Sequence, residues 1–484
     1  MFNVGKWHFV FSLLSFTLTK ALPQFMNNQH YFTQFNRFHL PTTLVLILLI
    51  LPTLAQVPTP GPPQSQPILL LGGTAHLGTG EVLEASAIAF EEGKITAVMN
   101  ASEASALDTA GYEVINTQGQ HIYPGFIIPN TDLGLKEIGA VRATIDNAEK
   151  GTLNPNIRSL ISYNTDSEII PTFRFNGILL AQITPQSGLI PGTSSVVQLD
   201  AWNWEDAAVK KDGALHLHWP GRFVGKFDFV TYTINRVPNE QFEEQLSMLE
   251  NLFADAQAYS ALSQPSEKNL KLEALQGLFS GEQALYVHAN EAKEIIEGVL
   301  FAEKYGVQRI VLVGGEEAMD VSDFLKDKNI PVILENVHRL PETNDTDVDM
   351  PYKLPRLLHD AGILVSISYT EDMNARGRNL PFLAGTAAAY GLDKETALQM
   401  ITANTAKILG IDDQVGTLEE GKQATLFVSQ GDALDMRTNQ LTHAFIDGRK
   451  VTLPAMQQRL YQKYKDKFEA KANTPAESGE KTEE

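Results

Sequence analysis

Between Ala284 and Asn336 the sequence alternates short apolar runs with longer amphipathic ones: ALYVHA, NEAKEIIEGVLFAEKYG, RIVLVGG, EEAMDVSDFLKDKN, PVILEN. Runs this apolar suit strands buried on both faces, and the spacers are long enough for helical crossovers, so they read as parallel βα units. The texture begins after Tyr123. Before it, ILLLGGTAHLGTG and AIAFEEGKITAV are short β-like runs broken by Gly-rich turns, and GTLEEGKQATLFV and HAFIDGRKV repeat that pattern from Gly416 onward. This predicts a β unit built from both ends of the chain around a βα middle. The expected division is 1–55 leader, 56–66 Pro-rich linker, 67–123 first β part, 124–409 barrel, 410–455 second β part and 456–484 helix with polar tail.

Charge and composition narrow the function. The 484 residues hold 38 Lys plus Arg against 58 Asp plus Glu, a formal charge of -20, which opposes a phosphate-neutralising surface and excludes nucleic acid as an expected partner. With no cysteine, disulfides, thiolate metal sites and a cysteine nucleophile are all excluded, and any metal must use His, Asp or Glu. The first 55 residues carry Lys6, Lys20 and Arg37, no acid, and an apolar run from Leu44 to Leu51. That pattern predicts a cleavable export signal, with Met26 as an alternative start, and hence a periplasmic protein without stable membrane insertion after cleavage. An uncleaved leader would act as an anchor instead.

From Pro67 to Val451 the landmarks resemble the amidohydrolase superfamily, in its imidazolonepropionase-like branch. ILLLGGTAHLGTGEV and GKITAV are similar to that family's opening β unit, YPGFI (Tyr123–Ile127) to its first barrel strand, LYVHANEA (Leu285–Ala292) to its mid-barrel histidine strand, and ITANTAKILGIDDQVGTLEEGKQATLFV to its closing helix and β return. The resemblance implies an α/β fold: a (β/α)8 TIM-like barrel with its site at the C-terminal strand ends, plus a composite β-sandwich. It also implies a hydrolase of amide, cyclic amide or peptide-like C–N bonds that uses one or two divalent ions.

The family's ligand positions are largely replaced. Its Asp-x-His-x-His motif reads here as Ile128, Asn130 and Asp132; His288 survives in place; Gly314 stands where many relatives have histidine; and Thr370 falls at the general-base aspartate, with Glu371 or Asp372 next in register. Asp132 and His288 are the expected metal residues, and with Thr370 and Glu371 the expected catalytic ones. The cofactor expectation is none, or one weakly held zinc or manganese, because few ligands remain. Other groups are candidates for binding substrate. These are Asn130, His338 at a strand end, Ser187 and Gly188 in a Gly-Ser loop suited to cradling an anion, and Arg376 and Arg378 for a carboxylate at the mouth. HLH (His216–His218) has ligand spacing off the family positions and reads first as a polar strand face. Two functions compete: a C–N hydrolase with a rebuilt site, and a non-catalytic barrel serving as a ligand-binding module or a partner subunit. The expected partners are a small-molecule or peptide-like substrate and either a homodimer mate or an amidohydrolase homologue.

Overall fold

The computed structural model describes residues 59–262, 267–341, 346–370 and 374–472; the leader at 1–55, Glu371 and Asp372 lie outside them. The two ends of the chain meet in one sheet. Its strands are β1 (Ile68–His76), β2 (Val82–Glu91), β3 (Lys94–Asn100), β4 (Glu113–Asn116), β5 (His121–Pro124), β16 (Leu426–Ser429), β17 (Leu441–Ile446) and β18 (Arg449–Lys450). They run β18-β17-β16-β5-β1-β2-β3, with β4 beside β1. The seam is the antiparallel pair β16–β5, where Leu426 faces Pro124. One face buries Ile88, Phe90, Ile122, Leu426 and Phe445 and the other Leu69, Ala87 and Ala89, so AIAF is apolar throughout because both its faces are covered.

The second sheet is an almost closed barrel of β6 (Phe126–Thr131), β7 (Ile178–Ile183), β8 (Thr193–Gln198), β9 (Ala208–His218), β12 (Ala284–Ala289), β13 (Ile310–Gly314), β14 (Val332–Glu335) and β15 (Val365–Ser368), paired in that order. In β6, β7, β8 and β13 every residue is buried, as strands inside a helical jacket require. The first and last strands do not form a ladder. They are joined by Ile127 N–H to Ile401 O, Ile367 N–H to Met400 O and Ser368 Oγ to Pro129 O.

One strand departs from the parallel pattern: β8 runs antiparallel to both neighbours. The connections at 184–192 and 199–207 explain this, because each is shorter than the dozen or so residues a parallel crossover needs. Between β9 and the helix Phe242–Ser260 the chain also throws out a hairpin, β10 (Phe223–Asp228) with β11 (Thr233–Pro238), that pairs with no other strand among the described residues. Helix Ala292–Lys304 backs β12 closely: a Cβ on Gly298 would sit 2.7 Å from Val287 Cγ1, so any larger residue there must displace its neighbour. Among the described residues no helix is long and apolar enough to cross a membrane.

Candidate functional site at the barrel mouth

The strands deliver their polar residues to the C-terminal rim. On β9, alternation turns His216 and His218 to the same side, and the register sets His218 beside His288 of β12. The rings of His218 and His288 meet edge to face at 4.5 Å, and His216 Nδ1 lies 2.8 Å from His288 Nε2. That separation holds one proton between two nitrogens, so the accepting lone pair at this contact is already engaged. His216 Nε2 shares a 2.7 Å hydrogen bond with Ser194 Oγ on β8. His218 Nδ1 donates to the Gly188 carbonyl at 3.0 Å, which leaves its Nε2 as a bare acceptor.

A second set of groups occupies the opposite side. Asn130 ends β6 with φ +48°, a left-handed conformation that Asn tolerates better than most residues, and the β6–β7 register breaks there. Its Nδ2 donates to Glu335 Oε1 at 2.5 Å and to Thr370 Oγ1 at 3.4 Å, and the Thr370 hydroxyl donates to Asn130 O at 3.0 Å. Asn336 fixes Thr370 from behind through both its backbone N–H and its carbonyl. The two sides are linked. Asn130 N–H donates to Gln182 Oε1 at 3.1 Å, and Gln182 Nε2 donates to Ser194 Oγ at 2.9 Å, so an unbroken chain of hydrogen bonds runs from Glu335 to His288.

Burial sets the charge of these groups. His216 and His288 are held well below the ordinary imidazole value of 6.5, first by burial and then by the neighbouring imidazoles. His218 is lowered by burial, partly offset by the Gly188 carbonyl. Glu335 moves the other way: burial raises it, against the lowering influence of Thr370 and Asn130 beside it. The mouth therefore holds neutral bases on one side and a carboxyl biased toward its protonated form on the other.

This donor set does not fit the family's metal centre. Ile128 is a buried hydrocarbon, Asn130 is committed to Glu335, Thr370 donates to a carbonyl, and a side chain on Gly314 (φ +97°) would strike Asn290 Oδ1 at 2.4 Å. Among the described residues no three His, Asp or Glu side chains are arranged to hold an ion. For Asp132 and His288, the expected metal residues, no third ligand is found among the described residues. The alternation that would turn positions 128, 130 and 132 to one side stops at the left-handed Asn130, and Asp132 lies past the strand, accepting from Asn147 Nδ2 at 3.0 Å.

The other candidates disperse. His338 turns to helix Leu380–Ala389, where its Nε2 bonds Thr386 Oγ1 at 2.6 Å, and it borders a cleft of about 610 Å³ with Lys394 and Asp432. Arg376 and Arg378 ride a 3-10 turn, Asn374–Asn379, whose Gly377 packs on Phe173 and Ile128, placing the turn against the end of β6. Around Ser187 and Gly188 the amides of Gln186, Leu189 and Ile190 are engaged by the carbonyls of Asn147 and Thr152, and Gly188 offers its carbonyl to His218. Glu371 lies outside the described residues. Reading the sequence missed Glu335, Gln182 and Ser194; the one available signal was a carboxylate closing the apolar run PVILE.

Residues 245–452 match the model of the amidohydrolase family. The amidohydrolase tasK of Hapsidospora irregularis is 34% identical over 119 residues, 22% of this chain and 12% of that protein. A 5-methylthioadenosine/S-adenosylhomocysteine deaminase of Teredinibacter turnerae is 44% identical over 55 residues, 11% of this chain and 12% of that one. The chain thus spans only about an eighth of the length of either curated relative. A solved amidohydrolase from Thermotoga maritima MSB8 superposes with a TM-score of 0.69 over 80% of this chain and 99% of that one, at 23% identity. Residues 245–452 are thus similar to the amidohydrolase family, and the chain shares the fold of the Thermotoga maritima amidohydrolase.

Proposed function

We propose that this protein is an exported C–N hydrolase, acting on amides, cyclic amides or peptide-like substrates at a mouth whose metal ligands have been replaced. The observation that supports this is the trio of neutral imidazoles at the ends of β9 and β12. His218 is the member with a bare Nε2, and the Gly188 carbonyl fixes its tautomer. Such a nitrogen takes a proton from water as the oxygen attacks a carbonyl carbon, then returns it to the leaving nitrogen as the C–N bond breaks. His216 and Ser194 position His288 beside it, and Arg376 and Arg378 are the cations for a substrate carboxylate at the rim. The apolar run and basic residues of the leader support export. The test is turnover of a dipeptide and cyclic-amide panel by the purified chain, with His218→Ala and His288→Ala alongside. Activity lost in both variants is the expected result, and full activity in both would sink the assignment.

A second reading, a barrel that binds a ligand or partner without turning anything over, is favoured by Ile128 and Gly314, which offer no ligating atom. It predicts no turnover across the panel and co-purification with an amidohydrolase homologue.

A further inference from the structure

Five exposed apolar side chains crowd the far end of the hairpin β10–β11. Phe229, Val230 and Tyr232 in its turn are 81%, 87% and 81% exposed, Ile234 and Phe227 are exposed beside them, and Phe227 meets Phe229 and Tyr232 edge-on at 5.0 and 6.2 Å. The turn is unlike one built for water alone. Tyr232 takes φ +54°, a left-handed conformation that strains a bulky residue and that Gly or Asn would fill freely. Polar groups of the turn bond one another: Asp228 Oδ1 accepts the Val230 N–H at 2.8 Å, and the Thr231 and Thr233 hydroxyls meet at 2.7 Å. Behind the tip the character changes along the axis, since the next two rungs are Lys226 with Asn235 and Gly225 with Arg236. The root is fixed. Arg222 pairs with Glu297 and Arg236 with Glu291, and Asn239 donates to the carbonyls of Arg222 and Gly221.

We infer that the tip is a membrane-docking finger, which enters the interfacial layer of a lipid bilayer with Phe227, Phe229, Val230, Tyr232 and Ile234 and keeps Lys226 at the headgroups. Area argues against a protein partner. The five side chains expose on the order of 700 Å², but Phe227 and Ile234 share one face while the other three sit in the turn, so a flat partner meets only part of it, well short of the roughly 800 Å² per side of a stable interface. A fluid layer covers the face and the end at once. Length fits the same occupant: Val230 lies about 10 Å beyond Lys226 along the hairpin, the depth to which amphipathic segments sink between headgroups and acyl chains. Tyr and Phe are the residues that favour that layer, and bonds within the turn lower the cost of taking its polar groups out of water. A second copy is disfavoured by charge, because residues 221–238 carry Arg222, Lys226 and Arg236 against Asp228 alone and two tips would repel. Charge does not drive the lipid contact either, as Arg222 and Arg236 are already held by glutamates. Docking therefore rests on the apolar tip, on zwitterionic and anionic lipid alike. This inference is independent of the hydrolytic reading.

The chain has no cysteine, so Val230→Cys in the full chain, expressed with its own leader, takes a single environment-sensitive fluorophore at the tip. Phosphatidylcholine vesicles should shift its emission to the blue and raise it at least about threefold, and vesicles with phosphatidylglycerol should do the same. The same label at the exposed Glu103→Cys should stay unchanged. Adding Phe229→Ser with Tyr232→Ser to the labelled tip should raise the lipid concentration for half the signal at least about tenfold, with far-ultraviolet dichroism and melting of the barrel unaltered. A tip label indifferent to vesicles overturns the proposal, even where the leader carries the chain onto them. A signal confined to anionic vesicles and abolished at about 0.5 M salt overturns apolar docking in favour of charge. A tip signal that rises with protein concentration in the absence of lipid, with a dimer in sedimentation velocity, assigns the tip to a second copy instead.

Discussion

The two sides of the barrel mouth use polar side chains in opposite ways. On the β6, β14 and β15 side, Asn130, Glu335, Thr370 and Asn336 bond chiefly to one another, which locks three strand ends together. On the β9 and β12 side, His218 bonds Gly188 through Nδ1 and keeps Nε2 as an acceptor, and its neighbours serve to hold it and His288 in place. The first set joins strand ends although Asn130 Oδ1 is buried without a partner, whereas the second presents a neutral imidazole nitrogen, which is basic enough to move a proton. The difference separates a structural clasp from a reactive edge within one ring of strands.

The largest effect should come from the reactive edge. His218→Ala is expected to lower kcat/KM by about 10² to 10⁴-fold with little change in urea stability, the scale of losing one acid–base group. The clasp should answer the other way. Asn130→Leu, which strips the amide from Glu335 and forces a branched residue into a left-handed turn, should cost about 3 kcal/mol in urea unfolding. If it instead abolished turnover in a fully stable protein, the division between the two sides would collapse. Gly298→Ala pushes a methyl into Val287 directly beneath His288 and should cost about 1–3 kcal/mol, with a fall in turnover that tracks the displaced ring.

Titration distinguishes the sides by sign. The imidazoles have folded values below 6.5, so their contribution is full above about pH 6.5 and is lost as pH falls from there toward the depressed values. Glu335 has a folded value above the ordinary carboxylate range, so its contribution is full below about pH 4.5 and is lost as pH rises through the raised value. Glu335→Gln should therefore remove the alkaline-going loss and leave the acid-going one intact, as read from unfolding free energy against pH. The smallest effect is expected from metals: zinc, manganese or chelator should leave both melting and turnover within error, and a stabilisation by either ion would show that the imidazole contact opens to admit it.

Much of the architecture was legible because it rests on local pattern. The alternation after Tyr123 marks the βα middle, and matching β textures at the two ends correspond to the sheet seam at β16–β5. The clasp was hidden because it rests on distance along the chain: Asn130 and Glu335 are 205 residues apart, and neither stands out within its own strand. The left-handed turn at Asn130 was equally silent, yet it decides that Asp132 leaves the strand's alternation. HLH read as a polar strand face until the register put His218 next to His288. In the Gly-Ser loop the glycines suggested free amides, and its shortness was a further informative property that accounts for the reversed strand.

That reversed strand changes how the two halves of the molecule can communicate. At its mouth end, the 184–192 connection carries Gly188, whose carbonyl orients His218, and Ser194 lies just inside. At its other end lies Asp200, which binds Arg174 of the barrel, Arg449 of the composite sheet and the Gly61 amide of the leading segment. A six-residue strut thus spans the barrel from domain junction to reactive edge, with a charged anchor at its foot and hydrogen bonds at its head. Drift at Arg449 would then register as a tilt of one imidazole.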